Sequence, residues 1–527
     1  MRKIGMIIEY GMASLTDIFE FRNFHRDTKR DDSTSRNDSS LGKKNFYHFT
    51  FREKKNRIYL VTAAIGAIIQ FIIFKLLYPY PDFISDSYSY ISTNLYHMDV
   101  NLWPIGYSKF LLYIHYITHS DTFLIAVQYL LLEISLAYFF FSFIYLYQPG
   151  KKNISILYLF FLFNPIFLYL SNAVLSDSLF ATLTIIFLTQ FLWMLHRPRV
   201  LQLVTQGVIV GLAFTIRYTA IYYPLVVLVG LILSRYRPIV KITGFLLGIS
   251  LMLPFYFYTV QKTRNATGTP EFSVFGGWQL ANNALYMYDH INVDSDKLPV
   301  ETRALDKLTK QFFQKFNPSW EELSTLPGTY FIKVPYAILK PYMLLKYKFW
   351  DPPSQFHAWG MVSPIYNKYG YYLISHHPVA FARWYLLLNT KNYFLPHLEK
   401  FKTYNLEEDV IEDPAIKWFD YPTSEVHAVS KYLQGELFYV YPIMFMILNI
   451  FFIGHICWFL LKSRFRKLEV FFRNSLIFVS LFLGFNFAFS VFATPVVLRY
   501  QVIPMVILLA FTLLLMEKVS KINSQNF

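Results

Sequence analysis

One cysteine, Cys457, occurs in 527 residues, and it lies inside an apolar run. An intrachain disulfide is therefore impossible, and a metal site built on cysteine sulfurs is excluded. Charge is also scarce. Charged residues make up 16% of the chain, against 54% hydrophobic and 20% aromatic, the composition of a polytopic membrane protein rather than of a string of soluble domains. Acidic residues are the scarcer sign, 34 against 49 basic, for a formal charge of +15. A surplus of that size can mark a nucleic-acid binder, but here Lys and Arg fall in short clusters between apolar runs, as in cytoplasmic loops, and no nucleic-acid partner is expected. No internal repeat is evident, which weighs against an inverted-repeat transporter. The opening MRKIGMIIEY is interrupted by Glu9 and lacks a small-residue cleavage site, so it makes a poor signal peptide.

What is present is a series of apolar runs. Seven of membrane or near-membrane length lie at 58–78, 123–147, 154–170, 179–195, 201–216, 220–233 and 242–260. Three more follow at 437–461, 476–492 and 501–516, giving an all-α polytopic protein of about ten transmembrane helices. Several runs are shorter than the roughly 20 residues a perpendicular helix needs, so breaks are expected at Asn164-Pro165 and Arg217-Tyr218. Basic groups recur after every second span: Lys151 and Lys152, then Arg197 and Arg199, then Arg235, Arg237 and Lys241, and later Lys462, Arg464, Arg466 and Lys467. Both termini are thereby expected in the cytoplasm of a multi-pass protein of the cell (inner) membrane. The organisation reads as a cytoplasmic tail (1–56), a seven-span module (57–260) with a first outer loop at 79–121, an interfacial cap (261–434), and three C-terminal spans with a short tail (435–527). Within the cap, 328–350 is apolar but punctuated by Lys333, Lys340, Lys346 and Lys348, which suits a helix lying in the membrane interface, and 375–396 is a second such element.

The first outer loop, PDFISDSYSYISTNLYHMDVNLWPIGY, places Asp82, Asp86 and Asp99 where the chain has just left the bilayer. On a helix, Asp82 and Asp86 at spacing four share a face, and like-charge repulsion with partial desolvation raises one pKa. The plainer reading of Asp86 is an N-cap for the following helix. Arg217 and Arg499 stand in short outer loops otherwise poor in cations; an arginine costs about 2.5 to 3.5 kcal/mol at mid-bilayer, so both belong at the interface, where snorkelling to headgroups is the alternative to binding a phosphate. Asp177 follows Asn172 and Ser176 and serves as a second carboxylate or simply as the N-cap of span four. FGGWQLANNALYMYDH (275–290) brings Trp278, Gln279, Asn282 and Asn283 together, amides beside an aromatic that suit sugar binding and equally an ordinary polar turn. His376-His377 and the His115/His119 pair lack a third nearby donor for zinc, and Asp294 with Asp296 reads as a solvated turn.

In topology the chain resembles the GT-C glycosyltransferases, the class that includes protein O-mannosyltransferases, lipid A aminoarabinose transferases and oligosaccharyltransferases. Five stretches carry the likeness. PDFISDSYSYI is similar to the family's first-loop Asp with a following membrane-lying helix, and WPIGYSKFLLY to the Pro-x-Gly-Tyr that leads into the second span. NPIFLYLSNAVLSDSLFATL carries Ser176-Asp177 where many members have Ser-Glu; GLAFTIRYTAIYYP carries Arg217; VVLRYQVIPM opens the last span with Arg499-Tyr500 before a proline. Two departures stand out. Asp177 is shorter than Glu, and the first loop has no Asp-x-Asp, so a divalent metal is unsupported. The resemblance implies transfer of a sugar from a polyprenyl-phosphate carrier to a glycan, lipid or protein acceptor on the extracytoplasmic side. Asp86 would be the base, with Asp82 beside it, and Asp177, Arg217, Arg499, Tyr500, Trp278, Gln279 and Asn283 would line the substrate site. A lipid-linked oligosaccharide flippase, or a polysaccharide polymerase or ligase using His376, His377 and Arg383, is the competing expectation.

Overall fold

The computed structural model describes residues 45–524 except 317, 327 and 494. The tail assigned to 1–56 therefore lies mostly outside the described residues. Of its last part, Phe46 is buried against the rings of Tyr145 and Trp193, and the first long helix already begins at Lys54.

The described chain is helical, with only isolated β-bridges. Eight helices are long and apolar enough to cross a membrane by length and composition: Lys54–Leu77, Asp121–Tyr147, Lys151–Asn172, Asp177–His196, Pro238–Thr267, Leu433–Leu461, Val470–Phe492 and Leu498–Ser524. Two shorter apolar helices, Val200–Ile216 and Tyr218–Leu233, coincide with the shortest runs in the sequence. This is a multi-pass membrane protein. Its first helix exposes Ile58, Val61, Ile65, Ile68, Ile69, Ile72, Ile73 and Leu76, a surface that only lipid tolerates. The share of the apolar window buried inside the protein is 17% there and 83% in Asp177–His196, so the latter is the central helix.

Both expected breaks occur. Asn164-Pro165 interrupts the third long helix because proline lacks the N–H that a continuing helix needs, and the Asn164 side chain repairs the gap by accepting from Ile166 N (3.0 Å) and Tyr441 Oη (2.8 Å). Arg217 is extended between Val200–Ile216 and a short 3₁₀ turn, which leaves its side chain free to turn inward.

The segment after Thr267 has its own core. Helix Phe275–Leu285 lies on Pro352–His376, with Trp278 stacked on Trp359 at 3.9 Å and Asp306 accepting from Tyr288 (2.7 Å), Tyr369 (2.9 Å) and Ser295 (2.7 Å). Gly277 and Gly370 permit this approach, since a Cβ at either would collide with the backbone of the facing helix. The expected single interfacial helix over 328–350 is instead two short ones, Tyr330–Lys333 and Leu339–Lys346, split beside Pro335. The 375–396 element is helical from Pro378 to Phe394 with a π-turn at 382–386.

Candidate functional site

Two backbone bridges assemble the site from segments far apart in sequence. In the first, Asp82 N donates to Asn172 O (3.0 Å) and Val174 N to Asp82 O (3.2 Å), which sets the first loop against the turn that begins the central helix. In the second, Leu498 N donates to His397 O (2.8 Å), clamping the end of the cap segment to the start of the last span. Gly106 sits against the backbone of Thr215 with no room for a side chain, which brings Trp103 and Pro104 beside Arg217.

Around these clamps lies a cavity of about 310 Å³. It is lined by Asp86, Asp177, Arg217, Arg499, Tyr500 and Gln279, six of the nine residues singled out from the sequence. Asp177 is buried and occupied on both oxygens: Arg217 Nη1 donates to Oδ1, and Arg499 Nη1 to Oδ2 at 2.8 Å. Both guanidiniums lie over the Tyr500 ring, 4.3 and 4.5 Å from its centroid, so the two cations share one carboxylate and one aromatic ring. Ser176, not Asp177, is the N-cap residue of the central helix. Spans add an apolar part of the wall, Phe180, Phe482, Phe489, Ile503 and Pro504, interspersed with Thr184, Asn486 and Ser490.

Asp86 is the second residue of helix Ser85–Leu95, not its cap. The cap position is Ile84, whose N–H donates to Ser87 Oγ at 3.1 Å. Among the described residues none hydrogen-bonds the Asp86 carboxylate, which faces the cavity. Burial raises its pKa above the usual carboxylate range; Arg499 and Lys400 oppose this, while Glu399 and Asp177 add to it.

Asp82, Trp278 and Asn283 lie outside the cavity. The helix begins at Ser85, so Asp82 does not share a helical face with Asp86; it sits in extended chain, and its carboxylate accepts from Asn405 N at 3.0 Å. Burial pushes Asp82 up to about 7 against the pull of that N–H, Lys400 and Arg499. Trp278 is core, donating to Trp359 O at 3.2 Å. Asn283 accepts from Gln279 (2.7 Å) and donates to Phe492 O (2.8 Å), tying the cap to the end of a span. His376 is exposed and stacks on Tyr372, Arg383 lies over Trp384, and His115 is stacked between His119 and Trp418; none of them lines the cavity.

Sequence reasoning missed Glu399, Lys333 and Lys400. Glu399 accepts from Arg499 Nε (3.2 Å) and from Lys333 Nζ (2.7 Å), and its backbone is left-handed at φ 49°. Burial alone would raise Glu399, but Arg499, Lys333 and Lys400 hold it down at about 2. The one signal was a charged pair inside the aromatic stretch NYFLPHLEKF. Among the described residues no group of three or more His, Cys, Asp or Glu side chains is disposed to hold a metal. Asp177 is not free to hold one, because both its oxygens are taken by arginines. No family model, no curated protein and no solved structure matches this chain.

Proposed function

We propose that the chain is an integral-membrane glycosyltransferase of GT-C type, moving a sugar from a polyprenyl-phosphate-linked donor to a glycan, lipid or protein acceptor on the extracytoplasmic face. The observation that carries this reading is the cavity itself, in which an unbonded carboxylate, Asp86, faces two clamped arginines beneath an apolar wall drawn from spans. An apolar wall at membrane depth suits a polyprenyl chain, and the arginines suit the phosphate at its end.

In the proposed reaction Asp86 takes the proton from the acceptor nucleophile as that atom bonds to the anomeric carbon. The bond from that carbon to the phosphate oxygen breaks, and its electron pair stays on the phosphate. Arg499 and Arg217 stabilise the charge that develops there. Asp177 and Tyr500 hold both guanidiniums in place beforehand, so little reorganisation remains for the moment of reaction. The raised pKa of Asp86 makes it a better base than an exposed aspartate.

The test is Asp86→Asn in purified protein with a lipid-linked sugar donor. Turnover should fall by about 10²- to 10⁴-fold with membrane abundance and donor binding retained; near-normal turnover would remove Asp86 as the base. The transporter reading draws on Glu133, an acid buried within Asp121–Tyr147. Sugar transfer by the detergent-solubilised protein, where no sealed compartment exists, separates the two.

A further inference from the structure

Helix Leu339–Lys346 is apolar on two sides. Leu339, Tyr342 and Met343 are buried in the cap core at spacing three and four, yet the helix continues into Leu344 and Leu345, which are 52% and 76% exposed, and the chain reaches Trp350, 84% exposed. The cap core does not account for these three. Between them stand Lys346 and Lys348, both exposed, and no acidic residue occurs from Leu339 to Trp350.

The neighbourhood of this segment is tied to a lipid-facing span. Trp350 N donates to Ser354 Oγ (3.1 Å), Asp351 caps helix Pro352–His376, and one turn on His357 Nδ1 donates to the carbonyl of Ala266 (2.9 Å) in the last turn of Pro238–Thr267. The exposed apolar residues of that span end at Phe257 and Tyr258. Ala266 therefore lies about 12 Å further along the axis at 1.5 Å per residue, a few ångströms outside a headgroup layer roughly 5 to 8 Å deep. His357 meets Ala266 while Gly360 meets Thr267 and Thr269, so helix Pro352–His376 starts out running the same way as the span, and Trp350, seven residues before His357, lies back toward the headgroups by about 10 Å at 1.5 Å per residue.

We propose that Leu344–Trp350 is a membrane-inserting wedge. Leu344, Leu345 and Trp350 enter the acyl boundary of the leaflet on the cap side, and Lys346 and Lys348 bind anionic lipid headgroups. Tryptophan and leucine gain from the interface, and each lysine near a negatively charged surface adds attraction that zwitterionic lipid does not supply. This inference does not depend on the glycosyltransferase reading.

The single native cysteine makes the test direct. In a Cys457→Ser background, Leu345→Cys carries a bimane label in reconstituted vesicles, with Glu321→Cys, an exposed cap position, as the reference. Shallow nitroxide lipids should quench the label at position 345 several-fold more than at 321, with aqueous iodide showing the reverse. Free quenching by iodide at both positions overturns the wedge. Protection from iodide without nitroxide quenching, accompanied by cross-linking between copies through position 345, assigns the surface to a second copy of the chain and also overturns it. For the charged part, adding phosphatidylglycerol to phosphatidylcholine vesicles should deepen nitroxide quenching, and the Lys346→Glu and Lys348→Glu pair should cut that gain several-fold. An undiminished gain overturns the headgroup assignment.

Discussion

Asp82 and Asp86 are four residues apart in one loop, and the chain treats the two ends of that loop in opposite ways. Around Asp82 the polar groups are tied into joints: its backbone is bridged to Asn172 and Val174, its carboxylate holds the left-handed Asn405, and Tyr404 Oη donates to Pro81 O at 3.1 Å. Around Asp86 the backbone is equally fixed by the helix it begins, but the carboxylate is left to the cavity. Burial raises both pKa values, so the titration shift alone does not tell a joint from a reactive group. Partner geometry does.

The largest effect should come from exchanging each carboxylate for its amide. Asp86→Asn should lose about 10²- to 10⁴-fold in turnover, while Asp82→Asn, whose Oδ1 can still accept from Asn405 N, should stay within about tenfold of wild type. Equal losses in the two variants would erase the distinction. Next in size is Asp177→Ala. Removing a carboxylate that serves two buried arginines should cost about 3 to 5 kcal/mol of stability, read as a lower Tm in detergent, and Asp177→Asn should cost less. A Tm unchanged by Asp177→Ala would mean that Glu399 and Tyr500 suffice to hold the arginines. Smaller again, Arg499→Lys keeps the charge but loses the planar fork that reaches Asp177 and Glu399 together, so donor affinity should fall by about ten- to a hundredfold.

The smallest effects are in pH. The proposed reaction requires ionised Asp86, so activity should fail on the acid side, and Lys400→Gln, which removes a cation that favours the ionised form, should move that limb to higher pH. A limb that stays put would show that Lys400 does not act on the base. At the other end of the loop, Asp82 titrates near 7 when folded and near 4 when unfolded. Across that window the unfolded chain sheds the proton while the folded chain keeps it, so wild-type stability falls as pH rises. The Tm of Asp82→Asn relative to wild type should therefore climb between pH 5 and pH 8; a flat difference would place the Asp82 pKa near its unfolded value.

The helices were legible because lipid demands long apolar runs with internally satisfied backbones, and Asn164-Pro165 was legible because proline lacks a donor. The convergence of Asp177, Arg217 and Arg499 followed from their shared position at the ends of apolar helices, and Asp86 joined them from the loop that follows the first span. The separation of Asp82 from Asp86 was not legible: it depends on where the helix starts, and that is decided by a bridge to residues some ninety positions away. Trp278 and Asn283 misled because amides beside an aromatic describe a buried helix contact as well as they describe a sugar site. Glu399 and Lys400 gave only a charged pair in an aromatic stretch, since the meaning of Glu399 comes from a partner in the last span.

The two cations on Asp177 also arrive at different times. Arg217 is 40 residues further along the chain and Arg499 is 322. At a synthesis rate of about 5 to 20 residues per second, the second arginine is made roughly a quarter of a minute to a minute after the first. Throughout that interval Asp177 has a neutralising partner in Arg217, so the central helix can settle without a bare buried charge. The cavity is nevertheless unfinished: Glu399 and Asn405 are made only about 100 residues before Arg499, and until Arg499 follows, Glu399 lacks its arginine partner. A nascent chain is thus protected early against the cost of the buried Asp177 charge, and the second arginine arrives only with helix Leu498–Ser524.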